Sequence, residues 1–246
     1  MSKLWFSIFD FSFQYKGQEP GFIDQEFDWT KEFKLNFLSI KHELSEYLKI
    51  AEPEAYFNKS MVNKENYWKT ISLKWWGIEF SKRQQYFPTT SKLLAKYPQL
   101  ISLSFNQLEP KGEIKPHCGD TNAIYRCHMG IEVPEGLPST GFRVEEEWRE
   151  WKEGEWLVFM DAYKHEAINQ SDQKRIILVV DFLRPEYISR KPRVTSTVLT
   201  SLFLQKRSEN FTVLKSTPIW LIKTLVICLR PFAFLAVKWV NFFRVY

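Results

Sequence analysis

The sequence predicts a mainly β, double-sheet jelly-roll domain with flanking helices and an apolar C-terminal helical tail. Between residues 68 and 181, short apolar or alternating runs recur at close spacing. Turn signals separate them: Pro110-Lys111-Gly112, Pro134-Glu135-Gly136, Glu153-Gly154 and Asn169-Gln170-Ser171-Asp172. Many short antiparallel strands joined by hairpin turns imply a sandwich or barrel. The length, 246 residues, suits one such domain with appendages. At 44% hydrophobic and 26% charged residues, the composition excludes disordered, collagen-like and coiled-coil classes.

The elements follow in chain order. Residues 1–67 form an N-terminal flank expected to pack on the core. Within it, 29–51 carries apolar residues three and four apart from Ile40 through Leu44, Tyr47 and Leu48, the pattern of an amphipathic helix. His42, between Lys41 and Glu43, reads as a surface residue of that helix. The core, 68–185, holds candidate strands at 68–76, 101–108, 123–132, 142–144, 155–161, 165–168 and 175–181, with a short helix at 92–97. Residues 186–217 are rich in Ser, Thr, Lys and Arg and read as a basic connector. Residues 218–246 are the most apolar stretch, expected as two helices divided at Pro231.

The net charge of +5 averages two unlike parts. Residues 1–188 carry 24 basic and 28 acidic side chains, a net −4; residues 189–246 carry 10 basic side chains and one acid, Glu209, a net +9. A nucleic-acid-binding protein would spread basic charge over its folded body, so nucleic acid is not an expected partner. Three cysteines, Cys118, Cys127 and Cys228, lack the spacing of a disulfide framework and are expected as small buried fillers. With no recognisable signal peptide, a reducing cytoplasmic setting is expected.

Three of the four histidines, His117, His128 and His165, fall in a window of 49 residues. His117 follows Pro116 in an expected loop. On the strand 123–132, Ile124, Arg126, His128 and Gly130 share one face, and Tyr125, Cys127, Met129 and Ile131 the other. On the last strand, Arg175, Ile177, Val179 and Asp181 share a face opposite Ile176, Leu178 and Val180. Cations directed into a sandwich require anionic partners. Protein carboxylates could serve, yet the planar guanidinium fork also suits a ligand carboxylate. His117 and His165 would complete a two-histidine metal site with open positions, as an oxygen-activating ferrous enzyme requires. Zinc held by Cys118, Cys127 and two histidines is disfavoured, because Cys127 faces away from His128 and no Cys-x-x-Cys is present.

The stretch PHCGDTNAIYRCHMGIEVP, followed by EWREWKEGEWLVFMDAYKHEAINQSDQKRIILVVDFLRP, resembles the aspartyl/asparaginyl β-hydroxylase family. The shared pattern is a first histidine, an Arg-x-His, a Trp and Gly-Glu hairpin, a second histidine and a following arginine. This resemblance implies a cupin-like double-stranded β-helix and an Fe(II)/2-oxoglutarate-dependent dioxygenase. Such an enzyme uses O2 to hydroxylate an unactivated C–H bond while 2-oxoglutarate is oxidatively decarboxylated. It implies His117 and His165 as iron ligands, Arg126 and His128 at one carboxylate of 2-oxoglutarate, and Arg175 at the distal one. Asn106 stands where the animal peptidyl hydroxylases have a serine assisting that arginine. Gly119 stands where many related oxygenases have an acidic ligand; the peptidyl hydroxylases also have glycine there, with water filling the position. Asp120 is one residue out of register and could reach the iron directly or through water.

The resemblance leads to a peptidyl aspartyl/asparaginyl substrate, with a lipid acyl chain as the alternative, because the family looks to include bacterial lipid A acyl hydroxylases at the inner membrane. SLKWWG, HEAINQSDQKRIILVVD and the basic apolar tail resemble those members. A catalytically silent jelly-roll binding module is the remaining alternative. In the tail, Lys223, Arg230, Lys238, Asn241 and Arg244 fall within about 120° of a helical wheel. Arg230 near the middle of a span would cost roughly 2.5–3.5 kcal/mol, whereas each basic residue near anionic lipid contributes about 1 kcal/mol. Peripheral or in-plane contact of 218–246 with the inner face of a membrane is therefore expected ahead of a spanning hairpin or packing against protein.

Overall fold

The computed structural model describes residues 3–10, 14–210 and 217–246. Its strands are β1 (Glu54–Ala55), β2 (Trp68–Trp75), β3 (Ile78–Glu79), β4 (Leu100–Leu108), β5 (Gly112–His117), β6 (Ile124–Glu132), β7 (Thr140–Val144), β8 (Glu147–Arg149), β9 (Trp156–Phe159), β10 (His165–Asn169) and β11 (Arg175–Leu183). The major sheet runs β1-β2-β4-β11-β6-β9 with β3 on β2, and the minor sheet runs β5-β10-β7-β8. Every pairing is antiparallel. The expected jelly roll is present. Four strands were not anticipated: the two-residue β1 and β3, β5, where alternating Lys and Glu dilute the apolar signal, and β8, which is mostly exposed.

β11 lies between β4 and β6, and its alternation divides the interior in two. Ile176, Leu178 and Val180 join Cys127, Met129 and Ile131 against the helices that cover the outer face. These helices are α1 (Asp28–Leu35), α2 (Phe37–Tyr47), α3 (Ser81–Gln84) and α4 (Pro88–Lys96), of which α1, α2 and α4 contribute Phe33, Ile40, Leu44, Leu93 and Leu94. Ile177 instead faces the minor sheet, packing with Phe22, Leu108, Phe142, Trp151 and Phe159. The single helix expected over 29–51 is two. Asn36 adopts φ −102° and ψ 12°, and its Nδ2 donates to Glu32 O at 2.8 Å, so a local side-chain bond replaces helical continuation. Buried Glu43 of α2 caps the start of α4 by accepting from Thr89 N (2.5 Å), Thr90 N (3.1 Å) and Thr90 Oγ1 (2.7 Å). His42 is exposed as expected.

The expected connector contains α5 (Lys191–Asn210), following a 3-10 turn at Pro185–Arg190; residues 211–216 lie outside the described residues. Val194 and Val198 of α5 pack with Trp76, Ile101, Ile124 and Leu183. Apart from Leu204, the rest of the buried face is Thr195, Ser196, Thr197, Thr200 and Ser201, so its composition resembled a linker. Thr195 Oγ1, Ser196 Oγ and Thr200 Oγ1 each donate to the carbonyl four residues earlier, at 3.0, 2.6 and 2.8 Å.

The tail forms one helix, α6 (Ile219–Phe243), which Pro231 does not divide. The helix loses one backbone donor there but continues along α5 and β3. Of the cysteines, Cys127 is buried as expected, Cys118 is half-buried and Cys228 is exposed on α6.

Two loops that flank the cavity are locked together. Gly119 N donates to Asp161 O at 2.8 Å, and a Cβ on Gly119 would stand 1.9 Å from Asp161 Oδ2. Gly119→Ala is therefore expected to lower stability by about 1–3 kcal/mol through overpacking, measured by urea unfolding of the full chain. Phe33, fully buried against Trp29 and Trp156, should cost about 3–5 kcal/mol on change to Ala in the same assay. A loss under 1 kcal/mol would contradict its role in docking α1.

Candidate active site

The inward faces of β2, β4, β11 and β6 form a grid. Across the sheet, Trp68 aligns with Leu108 and Arg175; Thr70 with Asn106, Ile177 and Gly130; Ser72 with Ser104, Val179 and His128; and Ser102 with Asp181 and Arg126. The two-residue period thus brings Arg126, His128, Arg175 and Asn106 onto one face, as their strand positions implied. A cavity of about 1080 Å³ lies over this face, and His117, His165, Arg126, His128, Asn106 and Arg175 all line it.

His117 ends β5 rather than sitting in a loop, and the β5–β10 register sets it opposite His165. The two ring centroids are 4.2 Å apart. Each Nδ1 donates to a backbone carbonyl at 2.8 Å, His117 to Lys115 O and His165 to Tyr163 O. Because a carbonyl only accepts, the proton resides on Nδ1 and the Nε2 lone pair of each ring is left for a ligand. Burial lowers the His117 pKa to about 4, with Arg126 adding to the effect and the Lys115 bond opposing it. Burial also holds His165 well below its ordinary value, helped by His117. Both rings are neutral, the state in which imidazole binds a metal.

The two cavity arginines differ in their partners. Arg126 is already engaged by carboxylates of the chain. Its Nε and Nη2 donate to Asp181 Oδ1 and Oδ2 at 2.7 and 3.2 Å. Its Nη1 lies 2.7 Å from Asp161 Oδ1. Burial alone would lower its pKa, but the two carboxylates reverse that and raise it. The protein carboxylates foreseen as partners for an inward-facing arginine are thus Asp181 and Asp161. Asp161 is buried, and its Oδ1 stands 3.8 Å from His165 Nε2. Burial raises its pKa, Arg126 pulls it back, and Asp181 and Asp120 push it up further. Asp120 also lines the cavity, its carboxyl raised to about 6 chiefly by burial.

Arg175 is 1% exposed and has no carboxylate partner among the described residues, where its Nε and Nη1 make no hydrogen bond. Its guanidinium carbon lies 4.4 Å from the Trp151 ring centre, and burial alone depresses its pKa to about 9. His128 is packed between Phe142 and Phe159, with centroids at 4.8 and 4.9 Å, and its Nδ1 is unpartnered. An orphaned cation beside an orphaned imidazole nitrogen is a site prepared for an anion.

The hydrogen bonds of Asn106 go to neighbours other than Arg175. Its Oδ1 accepts from Trp68 Nε1 at 2.8 Å, and its Nδ2 donates to Ser104 Oγ at 2.8 Å. Sequence reasoning missed Asp161 and Trp151. The signal for Asp161 was an acid set in the apolar run Val158-Phe159-Met160, four residues before His165. Among the described residues no cluster of three or more His, Cys, Asp or Glu is arranged to hold a metal, so the protein's own donors centre on the histidine pair. Cys127 lies in the outer core, across the sheet from His128.

Comparison with known proteins places these motifs. A sequence profile described as Aspartyl/Asparaginyl beta-hydroxylase matches residues 34–185. The ornithine lipid ester-linked acyl 2-hydroxylase of Rhizobium tropici is 30% identical over 186 residues, covering 74% of this chain and 66% of that protein. The human aspartyl/asparaginyl beta-hydroxylase is 31% identical over 112 residues, 43% of this chain but 14% of that protein. Among solved structures, a prolyl-4-hydroxylase of Pseudomonas putida superposes with a TM-score of 0.41 and 12% identity, covering 67% of this chain and 92% of that one. The chain thus spans just under two thirds of the Rhizobium protein and a small fraction of the human one. With the profile covering more than half of its length, the chain belongs to the aspartyl/asparaginyl β-hydroxylase family.

Proposed function

We propose that this protein is an Fe(II)- and 2-oxoglutarate-dependent hydroxylase acting on an acyl chain of a membrane lipid at the cytoplasmic face of the membrane. The observation that carries the reading is the content of one cavity. It joins a pair of neutral histidines, a buried arginine without an anion and, farther along β2, an apolar wall of Leu202, Ile219 and Ile222 contributed by α5 and α6.

The donor set fits the implied groups. Two imidazoles with free Nε2 atoms suit a ferrous ion that keeps open positions, and Arg175 fits the distal carboxylate of a dicarboxylate. Bound iron would supply activation of O2, and the overall conversion is R–H + O2 + 2-oxoglutarate to R–OH + succinate + CO2. The remaining work belongs to the chain. Lys115 O and Tyr163 O fix the tautomers of His117 and His165. Arg126, held by Asp181, holds Asp161 beside His165. The position filled by an acid in many related oxygenases is glycine here, and the Asp161 carboxylate occupies the space a side chain at Gly119 would need. Trp151, Phe142 and Phe159 exclude water around His128 and Arg175. Arg126 is assigned to organise the site, and Arg175 with His128 to bind the co-substrate.

Lipid is favoured over a peptide by the apolar wall and by the longer match to the Rhizobium lipid hydroxylase. A peptidyl side chain is the second reading, favoured by Gly119 and the human relative.

Purified protein loaded with ferrous iron is expected to form succinate from 2-oxoglutarate, and lipid extracts of cells carrying the gene should contain a species heavier by one oxygen. No succinate and no iron binding would sink the enzymatic reading; a peptide bearing the added oxygen would select the second substrate class. His165→Ala should abolish iron binding by calorimetry. Arg175→Ala should keep the iron but weaken 2-oxoglutarate binding roughly ten- to a hundredfold, the range for a lost charge-assisted bond. Unaltered affinity would reassign the arginine.

A further inference from the structure

A helix of 25 residues such as α6 is about 37 Å long, enough to cross a hydrocarbon core of about 30 Å. Its attachment to the body argues against crossing. Near its start, Ile219 and Ile222 form cavity wall together with Leu202 of α5. Near its end, Asn241 Oδ1 accepts from Glu79 N at 2.9 Å while Asn241 Nδ2 donates to Gly77 O at 2.8 Å. Beyond it, Tyr246 O accepts from Lys82 N at 3.0 Å, and the Tyr246 ring packs on Phe80. In between, Val226 is fully buried. Both ends therefore bind the same folded body, on the same side of any bilayer.

The opposite face is exposed and apolar: Trp220, Ile227, Phe232, Leu235, Trp239 and Phe242 all point away from the body. Such a continuous aromatic and aliphatic patch requires a cover. Residues 218–246 contain Lys223, Arg230, Lys238 and Arg244 and no acid, which matches a negatively charged surface with an apolar interior. Lysine and arginine stems can lie along the apolar face and place their charges at headgroup depth.

We infer that α6 lies in the plane of an anionic lipid leaflet and that its body-facing edge is the rim of the catalytic cavity, so that the substrate chain enters directly from the leaflet past Leu202, Ile219 and Ile222. The grid on β2 and β4 gives the direction. Arg175 and Trp68 share one end, and Thr70, Ser72 and Lys74 step toward the end where Trp75, α5 and α6 stand. The floor of this passage carries Ser72, Ser102 and Ser104, and its far wall sets Leu202, Leu204, Ile219 and Ile222 beside Gln205 and Thr217. A chain sliding in tail-first or bent at its polar linkage would meet apolar contacts on one side and hydroxyls on the other. This access route rests on the lipid reading above, whereas the lie of α6 does not.

Topology is tested by placing single cysteines at Thr217 and Tyr246 in the full-length protein, with native cysteines changed to serine, on sealed vesicles. A membrane-impermeant maleimide should label both from the same face as the catalytic body. Labelling from opposite faces means a crossing helix and overturns the inference. In the wild type, exposed Cys228 should react in lipid-free protein and be shielded by phosphatidylglycerol vesicles, but not by phosphatidylcholine vesicles in moderate salt. Shielding without lipid, dependent on protein concentration, would show that a second copy covers α6. For access, Ile222→Trp should lower hydroxylation of vesicle lipid at least tenfold with iron binding and Cys228 shielding retained. An unchanged rate would refute the route. Absence of succinate from the wild type would instead defeat the catalytic reading and leave the topology result standing.

Discussion

The alternation of β11 between two neighbours is the constraint on which the rest depends. Because β4 and β6 flank it on both sides, a shift of one residue would carry Arg175 and Asp181 into the aliphatic layer and bring Ile176, Leu178 and Val180 into the cavity. That exchange would bury unpaired charge on one face and remove the packing beneath α1, α2 and α4 on the other. Register is thus fixed by burial, and the same register places Arg175, Arg126 and His128 at defined rows of one grid. The minor sheet repeats the device at smaller scale. Pairing of β5 with β10 puts His117 against His165 without any local motif joining them.

Electrostatics then separates two arginines that look equivalent along the chain. Arg126 holds Asp161 and Asp181 in a compact charge group that is complete without a ligand, and its elevated pKa reflects that saturation. Arg175 is left with an aromatic face and burial, and its pKa moves the other way. A buried cation with no counterion destabilises the empty protein and is compensated when an anion arrives. This difference supports the proposed division of labour, in which Arg126 shapes the site and Arg175 meets the co-substrate. It also explains why Gly119 carries no side chain, since the Asp161 carboxylate held by Arg126 fills that space.

How much of this could be read from the sequence depended on whether the physical signal was local. The strand face of Arg126 and His128 and that of Arg175 and Asp181 follow from a period of two and were legible. The histidine pair was legible as residue types, but its contact is a cross-strand register that no spacing reveals. Asp161 was not legible, because its role comes from a loop meeting Gly119 and an arginine far away in sequence. The helix at Lys191–Asn210 was hidden for a different reason. Its buried face is largely serine and threonine, whose hydroxyls return to the helix's own carbonyls, so polar composition coexists with burial. Pro231 signalled a break that the structure does not make, since the neighbouring turns are supported by α5 and β3.

The uneven charge of the chain takes on meaning once α6 is seen as part of the cavity wall. The body through residue 188 is net negative and the remainder net positive, so an anionic surface repels one and attracts the other. Exposed charges interact only within about a Debye length, roughly 8–10 Å at moderate salt. At that range the basic residues of α6 feel the surface more strongly than the acidic body does. The pair of forces draws α6 to the surface and turns the body away from it, the torque adding orientation to the attraction, and apolar insertion of Trp220, Ile227, Phe232 and Trp239 adds to the grip. A hinge between body and tail would make that torque useless, because the tail could bind while the cavity faced any direction. The clamp of Asn241 on Gly77 and Glu79 removes the hinge, and so, on the proposed membrane reading, a composition bias in residues 189–246 becomes an orientation of the cavity mouth toward lipid.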